Sequence, residues 1–67
     1  MRVTVNYVKS KWEINLTSGA TVADAIAAIG VPVDDIGFAI IQGKVVRKDY
    51  MLTDGDDVTL YPAIVGG

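Results

Sequence analysis

The sequence has neither cysteine nor histidine. Without cysteine the chain cannot form a disulfide or a thiolate metal site. Without histidine it lacks the commonest general base and the commonest transition-metal ligand, so Ser-His-Asp and Cys-His catalytic systems are impossible. We therefore expect that the chain is not an enzyme and that it has no catalytic residues, metal or bound cofactor. The acidic residues at Asp54, Asp56 and Asp57 are better explained as a turn than as metal ligands, because they do not complete a coordination sphere.

Basic charge and long apolar runs are also scarce. The net charge of −2 is too acidic for a nucleic-acid-binding surface. No apolar stretch approaches the roughly 18 residues that a membrane helix needs, and the first residues lack a signal-peptide core. These features predict a cytoplasmic protein with no nucleic-acid or membrane partner. With 67 residues, of which 51% are hydrophobic, the chain is long enough for one domain with one small core.

Two segments near the start, residues 2–8 and 11–17, alternate apolar and polar side chains. This period of two predicts half-buried strands, and the short polar link at Lys9-Ser10 predicts that they form a hairpin. The positions that share the apolar face are Val3, Val5 and Tyr7 in the first strand and Trp12, Ile14 and Leu16 in the second.

A helix is predicted from Val22 to Ile29. Thr21 is a good N-cap, and Asp24 follows three residues later, as in a capping box. Gly30 stands where a left-handed C-cap residue belongs, and Pro32 opposes continuation of the helix. The apolar stripe of this helix, at positions i, i+3, i+4 and i+7, consists of Val22, Ala25, Ile26 and Ile29.

Three more strands are predicted after the helix. Residues 31–37 form a connection, and the continuous apolar run 38–41 indicates a central strand that is covered on both sides. Residues 45–46 form a short strand, and residues 48–52 are irregular, with Tyr50 and Leu52 available to fill the core. A turn at residues 54–56 leads into the last strand, which Pro62 ends because proline has no N–H to donate.

The order β-β-α-β-β-β predicts an α+β domain over residues 1–62, followed by a flexible tail over residues 63–67. The simplest architecture is a mixed sheet of four to five strands with one helix packed on one face. From the right-handed crossover rule we expect the strand after the helix to run parallel to the first strand. The tail ends in Gly66-Gly67, and a glycine pair can pass through a narrow slot because it has no Cβ.

The order of elements, the turn from Asp54 to Val58 and the terminal Gly66-Gly67 together resemble the ThiS/MoaD family of sulfur carrier proteins. This family contains the thiamine sulfur carrier and the small subunit of molybdopterin synthase, and it has the ubiquitin-like β-grasp fold. The resemblance extends over essentially the whole chain. It implies a sulfur carrier in thiamine or molybdopterin (molybdenum cofactor) biosynthesis, and the Tyr61-Pro62 step slightly favours molybdopterin.

The resemblance also implies a mechanism and a set of partners. An E1-like adenylating enzyme would use ATP to activate the Gly67 carboxylate, and a sulfurtransferase or cysteine desulfurase would supply the sulfur of the resulting thiocarboxylate. The sulfur would then pass to an acceptor synthase subunit. Gly66, Val65 and Ile64 would enter the active site of the partner as an extended segment.

A docking face is expected beside the tail. Tyr61 has the opposite parity to Leu60, so it should lie on the sheet face away from the helix. With Pro62 it could form a partner contact, although a singly exposed aromatic residue is also ordinary. Phe38 with Ile40 would extend this face, but parity alone does not distinguish that pair from Ala39 with Ile41.

Two other functions remain open at this point. The chain could be a ubiquitin-like modifier joined through Gly67 to lysines of other proteins, or a β-grasp binding module with an inert tail. Lys44, Arg47 and Lys48 could complement an acidic partner, but such a cluster is more often solvated surface.

Overall fold

The computed structural model describes residues 1–64, so the predictions for Val65, Gly66 and Gly67 lie outside the described residues. The elements, in chain order, are β1 (Arg2–Tyr7), β2 (Ser10–Asn15), α1 (Val22–Ala28), a 3₁₀ turn (Val33–Asp35), β3 (Ile36–Ile41), β4 (Lys44–Val46) and β5 (Asp57–Pro62). In this part of the chain, no helix is long and apolar enough to cross a membrane.

The strands form one mixed sheet in the order β2-β1-β5-β3-β4. β1 pairs antiparallel with β2 and parallel with β5, while β3 pairs antiparallel with both β5 and β4. The predicted α+β architecture, with the order β-β-α-β-β-β, is confirmed.

The predicted direction of the strand after the helix is wrong. β3 is antiparallel to β5, and β5 is parallel to β1, so β3 runs opposite to β1. The crossover rule relates the strands immediately before and after a helix. The strand before α1 is β2, and β3 does run in the same direction as β2. The strand parallel to β1 is β5, which inserts between β1 and β3.

The core lies between the helix and one face of the sheet. Alternate residues of β1 and β5 point toward α1, as do Ile36, Ala39 and Ile41 of β3, whose alternation is interrupted by an irregularity between Ile36 and Phe38. The helix contributes three buried residues to the same cluster. The predicted apolar phase of β1 and β2 is confirmed, and Trp12 packs at the edge of this core. The buried cluster consists of Val3, Val5, Val22, Ala25, Ile26, Ile36, Ala39, Ile41, Leu52, Val58 and Leu60.

The helix begins as predicted. Thr21 Oγ1 accepts the Asp24 backbone N–H at 3.4 Å, and the Asp24 carboxylate accepts the Thr21 N–H at 2.8 Å, which completes the capping box. Ile29 is the C-cap, and Gly30 follows with a φ of +81°. Thus α1 ends one residue before the predicted boundary.

Three predictions for the second half of the chain need correction. Leu52 is buried as predicted, but Tyr50 is 40% exposed and does not fill the core. β3 begins at Ile36, inside the predicted connection, and it is covered on one face only. Ala39 and Ile41 are buried, whereas Phe38 is 42% exposed. In the described residues α1 is the only α-helix. It covers the face that carries Ala39 and Ile41, and no helix in this part of the chain covers the face that carries Phe38.

Candidate interaction face and tail exit

The outward side chains of β3 and β5 form an aromatic pair. Phe38 and Tyr61 lie opposite each other in the strand register, and their rings are stacked with centroids 4.8 Å apart and an interplanar angle of 11°. Both rings are about two-fifths exposed, while Leu60, next to Tyr61, is buried. The structure thus resolves the parity that the sequence left open: Phe38 and Ile40 face outward, and Ala39 and Ile41 face the core.

This outward surface extends to the edge strand β4. Ile40 is half-buried and lies opposite Val45, and residues directly opposite on paired strands share one face. Val45 is 68% exposed. We call Phe38, Ile40, Val45 and Tyr61 the apolar face. The sequence did not single out Val45, and only its pairing with Ile40 could have identified it.

The tail leaves the sheet at the end of β5, beside this apolar face. Pro62 lies opposite Ile36, and the Ala63 N–H donates to the Asp35 carbonyl oxygen at 2.8 Å. Gly37 faces the same segment so closely that a Cβ on it would lie 3.1 Å from the Ala63 Cα. The backbone of residues 62–63 is therefore held against the start of β3, and Ile64 beyond it is 94% exposed.

The turn between β1 and β2 lies at the same end of the sheet. Tyr7 is opposite Leu60, so the next residue, Val8, is near the end of β5. Val8 is 76% exposed and has a φ of +57°, which is unusual for a β-branched residue. The sequence predicted that the first strand continues to Val8, whereas β1 ends at Tyr7 and Val8 lies in the turn. The alternation gave no reason to single out Val8.

The opposite end of the sheet carries a shallow polar recess of about 430 Å³. The Asp56 carboxylate on its wall accepts the Thr53 N–H at 2.8 Å, so it stabilises the turn before β5 as the sequence predicted. Among residues 1–64, no three metal-ligating side chains of the His, Cys, Asp or Glu type come together. The recess is lined by Ile41, Gln42, Lys44, Val46, Tyr50, Thr53 and Asp56.

The tail end of the sheet can contact another protein and can hold the root of the tail beside that contact. It combines exposed apolar side chains with a chain segment whose root is fixed. Hydrogen-bonded backbone at the exit fixes the position of Ala63, and an exposed apolar surface provides contact area for another protein.

Comparison with known proteins identifies the family. The model of the Mut7-C ubiquitin family matches residues 4–65. The chain belongs to this family. No curated protein gives a significant match to the sequence.

Solved structures confirm that this Mut7-C ubiquitin domain has the ubiquitin-like β-grasp fold. SAMP1 from Haloferax volcanii is 17% identical, with a TM-score of 0.73 and full coverage of both chains. The ubiquitin of Caldiarchaeum subterraneum is 22% identical, with a TM-score of 0.69 and coverage of 100% of this chain and 98% of that one. A ubiquitin-like domain from Arabidopsis thaliana is 15% identical, with a TM-score of 0.72 and coverage of 100% and 82%.

Proposed function

We propose that this Mut7-C ubiquitin domain is a cytoplasmic sulfur carrier of the ThiS/MoaD type. Its Gly67 carboxylate is adenylated by an E1-like enzyme and converted to a thiocarboxylate, which donates sulfur in molybdopterin or thiamine biosynthesis. The observation that carries this proposal is the exit of the tail beside an exposed apolar face. A partner that docks on the stacked Phe38 and Tyr61 rings receives the tail from a fixed root at Ala63.

The chemistry takes place on the partners. ATP and the Gly67 carboxylate form an acyl-adenylate and pyrophosphate, which makes the carbonyl carbon electrophilic. When hydrosulfide attacks this carbon, a C–S bond forms as the C–O bond to AMP breaks. When the attacking group is the persulfide of a sulfurtransferase or cysteine desulfurase, a thiol must afterwards reduce the S–S bond. The domain itself contributes the acyl group and the docking surface, and it is not an enzyme.

The second candidate is a protein modifier. The family name and the archaeal ubiquitin among the structural neighbours favour this function. Both functions use the same adenylation step, and they differ in the nucleophile: sulfur in the carrier, the amine of a target lysine in the modifier. A third candidate, a binding module, would use the apolar face without any activation of the tail.

Intact-protein mass spectrometry tests these functions. The protein is incubated with ATP, an adenylating enzyme from the same organism and a sulfide source. The carrier gains about 16 Da, the difference between oxygen and sulfur, as expected for acyl substitution at a carboxylate. A variant that lacks Gly67 serves as the control and stays unchanged.

Other outcomes point to the alternatives. Adenylation without retained sulfur, together with the C-terminal peptide of this protein joined through Gly67 to lysines of digested cell proteins, would replace the carrier with the modifier. Partner binding that persists after deletion of Gly66-Gly67, with no adenylation by any enzyme of that organism, would leave the binding module.

A further inference from the structure

Lys48 differs from the other basic residues near it. Lys44 and Arg47 are exposed, whereas Lys48 is half-buried and its ammonium group donates to the Val33 carbonyl oxygen at 2.9 Å. The sequence grouped these three residues as one surface cluster. In the structure Lys48 instead ties the loop after β4 to the 3₁₀ turn that precedes β3.

The backbone of Lys48 is itself fixed by the start of the helix. Its carbonyl oxygen accepts the Ala23 N–H at 2.9 Å, and the Tyr50 carbonyl oxygen accepts the Val22 N–H at 3.0 Å. The first N–H groups of a helix have no partners within the helix, so these bonds anchor the loop to α1. The Lys48 side chain therefore extends from a fixed base toward Val33.

The 3₁₀ turn that Lys48 reaches is the segment that holds the root of the tail. The Val33 carbonyl oxygen also accepts the Ile36 N–H, and the Asp35 N–H donates to the Pro32 carbonyl oxygen at 3.0 Å. The Asp35 carbonyl oxygen accepts the Ala63 N–H at 2.8 Å. One side chain thus stabilises the turn whose last carbonyl group orients the tail.

We propose that Lys48 is a positioning residue for the C-terminal tail. Its hydrogen bond to Val33 keeps the turn in the conformation in which Asp35 holds Ala63, so the tail leaves the domain in one direction before any partner binds. This proposal rests on the proposed function for its consequence in activation, but its structural part does not depend on it. A hydrogen bond with a charged donor is stronger than a neutral one, which suits this role.

The structural part is tested by amide hydrogen exchange, measured by NMR on Lys48→Met. Methionine keeps the length of the side chain and removes the ammonium group. We expect the Ala63 amide to exchange about tenfold faster, because a charge-assisted hydrogen bond is lost, while amides of the β1–β5 ladder keep their rates. Lys44→Met, which alters an exposed lysine of β4, is the matched control and should leave Ala63 unchanged.

Restoration of the amine separates positioning from a general loss of structure. The chain has no cysteine, so Lys48→Cys creates a single thiol that 2-bromoethylamine converts to a lysine analogue. We expect slow exchange at Ala63 to return after this conversion, and Lys48→Arg to retain it. Fast exchange that persists after the amine is restored would overturn the proposal, as would unchanged exchange in Lys48→Met.

The consequence for activation is tested by adenylation kinetics. If the tail is correctly directed in a smaller fraction of the molecules, the apparent affinity of the adenylating enzyme for this protein falls in proportion to that fraction. Lys48→Met should therefore raise the KM of the adenylating enzyme for this protein several-fold and leave kcat unchanged. An unchanged KM would overturn this part of the proposal. If the unmodified protein is never adenylated, the proposed function fails, while the exchange of Ala63 still decides the role of Lys48.

Discussion

β1 and β3 are comparable strands with different outward faces. Each has six residues, each pairs with β5, and each buries apolar residues toward the helix. On the outward face, however, β1 presents Thr4 and Asn6, whereas β3 presents Phe38 and Ile40. The fold therefore accepts polar residues on this face, and the apolar residues of β3 are not required to form the sheet.

The polar half of the outward face satisfies its own hydrogen bonds. The Asn6 side-chain amide donates to the Asp57 carboxylate at 2.5 Å and to the Val58 carbonyl oxygen at 3.2 Å. Among the described residues, the side chains of the apolar half make no hydrogen bonds, and exposed contiguous apolar surface commonly marks a site of interaction. This difference supports assigning partner binding to β3, β4 and the end of β5.

The largest effect should come from the inward face of β3. Ile41 and Ile40 are neighbours on opposite faces, so the same substitution at both compares the two faces directly. Ile41→Ala should lower the free energy of unfolding by about 2–5 kcal/mol, because it leaves a cavity in the core. Ile40→Ala should cost less than half as much in urea unfolding. Equal losses would mean that the outward face is also part of the core.

The next effect concerns binding. The double variant Phe38→Thr and Tyr61→Thr makes the outward face of β3 and β5 resemble that of β1. It should lower kcat/KM for adenylation at least 30-fold, or about 2 kcal/mol, as expected for interface hot spots. The far-ultraviolet circular dichroism spectrum should be retained.

Thr4→Ala and Glu13→Ala provide the control on the polar half, where the two residues lie opposite each other. Both should leave kcat/KM within about twofold, since surface positions outside an interface contribute little. A large loss in these variants, with none at Phe38 and Tyr61, would move the docking surface to β1 and β2.

The same comparison explains which features could be predicted from sequence. The type and the apolar face of β1, β2 and α1 were predicted correctly, although their ends differ by one or two residues, because each carries a period or a cap that local physics determines. In β3 the run 38–41 is apolar at every position, so it has no period from which to assign a face. The direction of β3 depends on strand pairing, as does the position of Val45 opposite Ile40. The exposure of Tyr50 depends on which elements cover each face of the sheet. Gly66 and Gly67 stood out as residue types. The fixed root of the tail, however, depends on the hydrogen bond that the Asp35 carbonyl oxygen accepts from the Ala63 N–H, and on Lys48.

A smaller effect is expected for the stacked rings themselves. A double-mutant cycle with Phe38→Ala and Tyr61→Ala should give a coupling of about 0.5–1.5 kcal/mol in the free energy of unfolding, the range for aromatic pairs. A cycle between Thr4→Ala and Glu13→Ala on the polar half should give less. No coupling between the rings would mean that the pair does not form in solution.

The smallest effect should come from the turns that end the two strands. β3 ends in Gln42-Gly43, where glycine occupies one of two positions with positive φ, whereas β1 ends in Val8, a β-branched residue with positive φ. The left-handed conformation costs an L-residue about 1–2 kcal/mol, and glycine loses about 0.5–1 kcal/mol through its greater freedom when unfolded. Val8→Gly should therefore stabilise the protein by up to about 1 kcal/mol in urea unfolding. Lys9→Gly, at the neighbouring position without a positive φ, should destabilise it.

The Val8→Gly variant also tests whether the docking surface extends beyond the apolar face to the end of β1. A strained and exposed valine brings the fold no stability that glycine would not improve, and strained residues often cluster at binding sites. If Val8→Gly raises stability but lowers kcat/KM for adenylation, the docking surface crosses β5 and includes the end of β1. If stability rises and kcat/KM is unchanged, the surface is confined to β3, β4 and β5. If stability does not rise, the backbone at Val8 is not strained, and the contrast between the two turns is wrong.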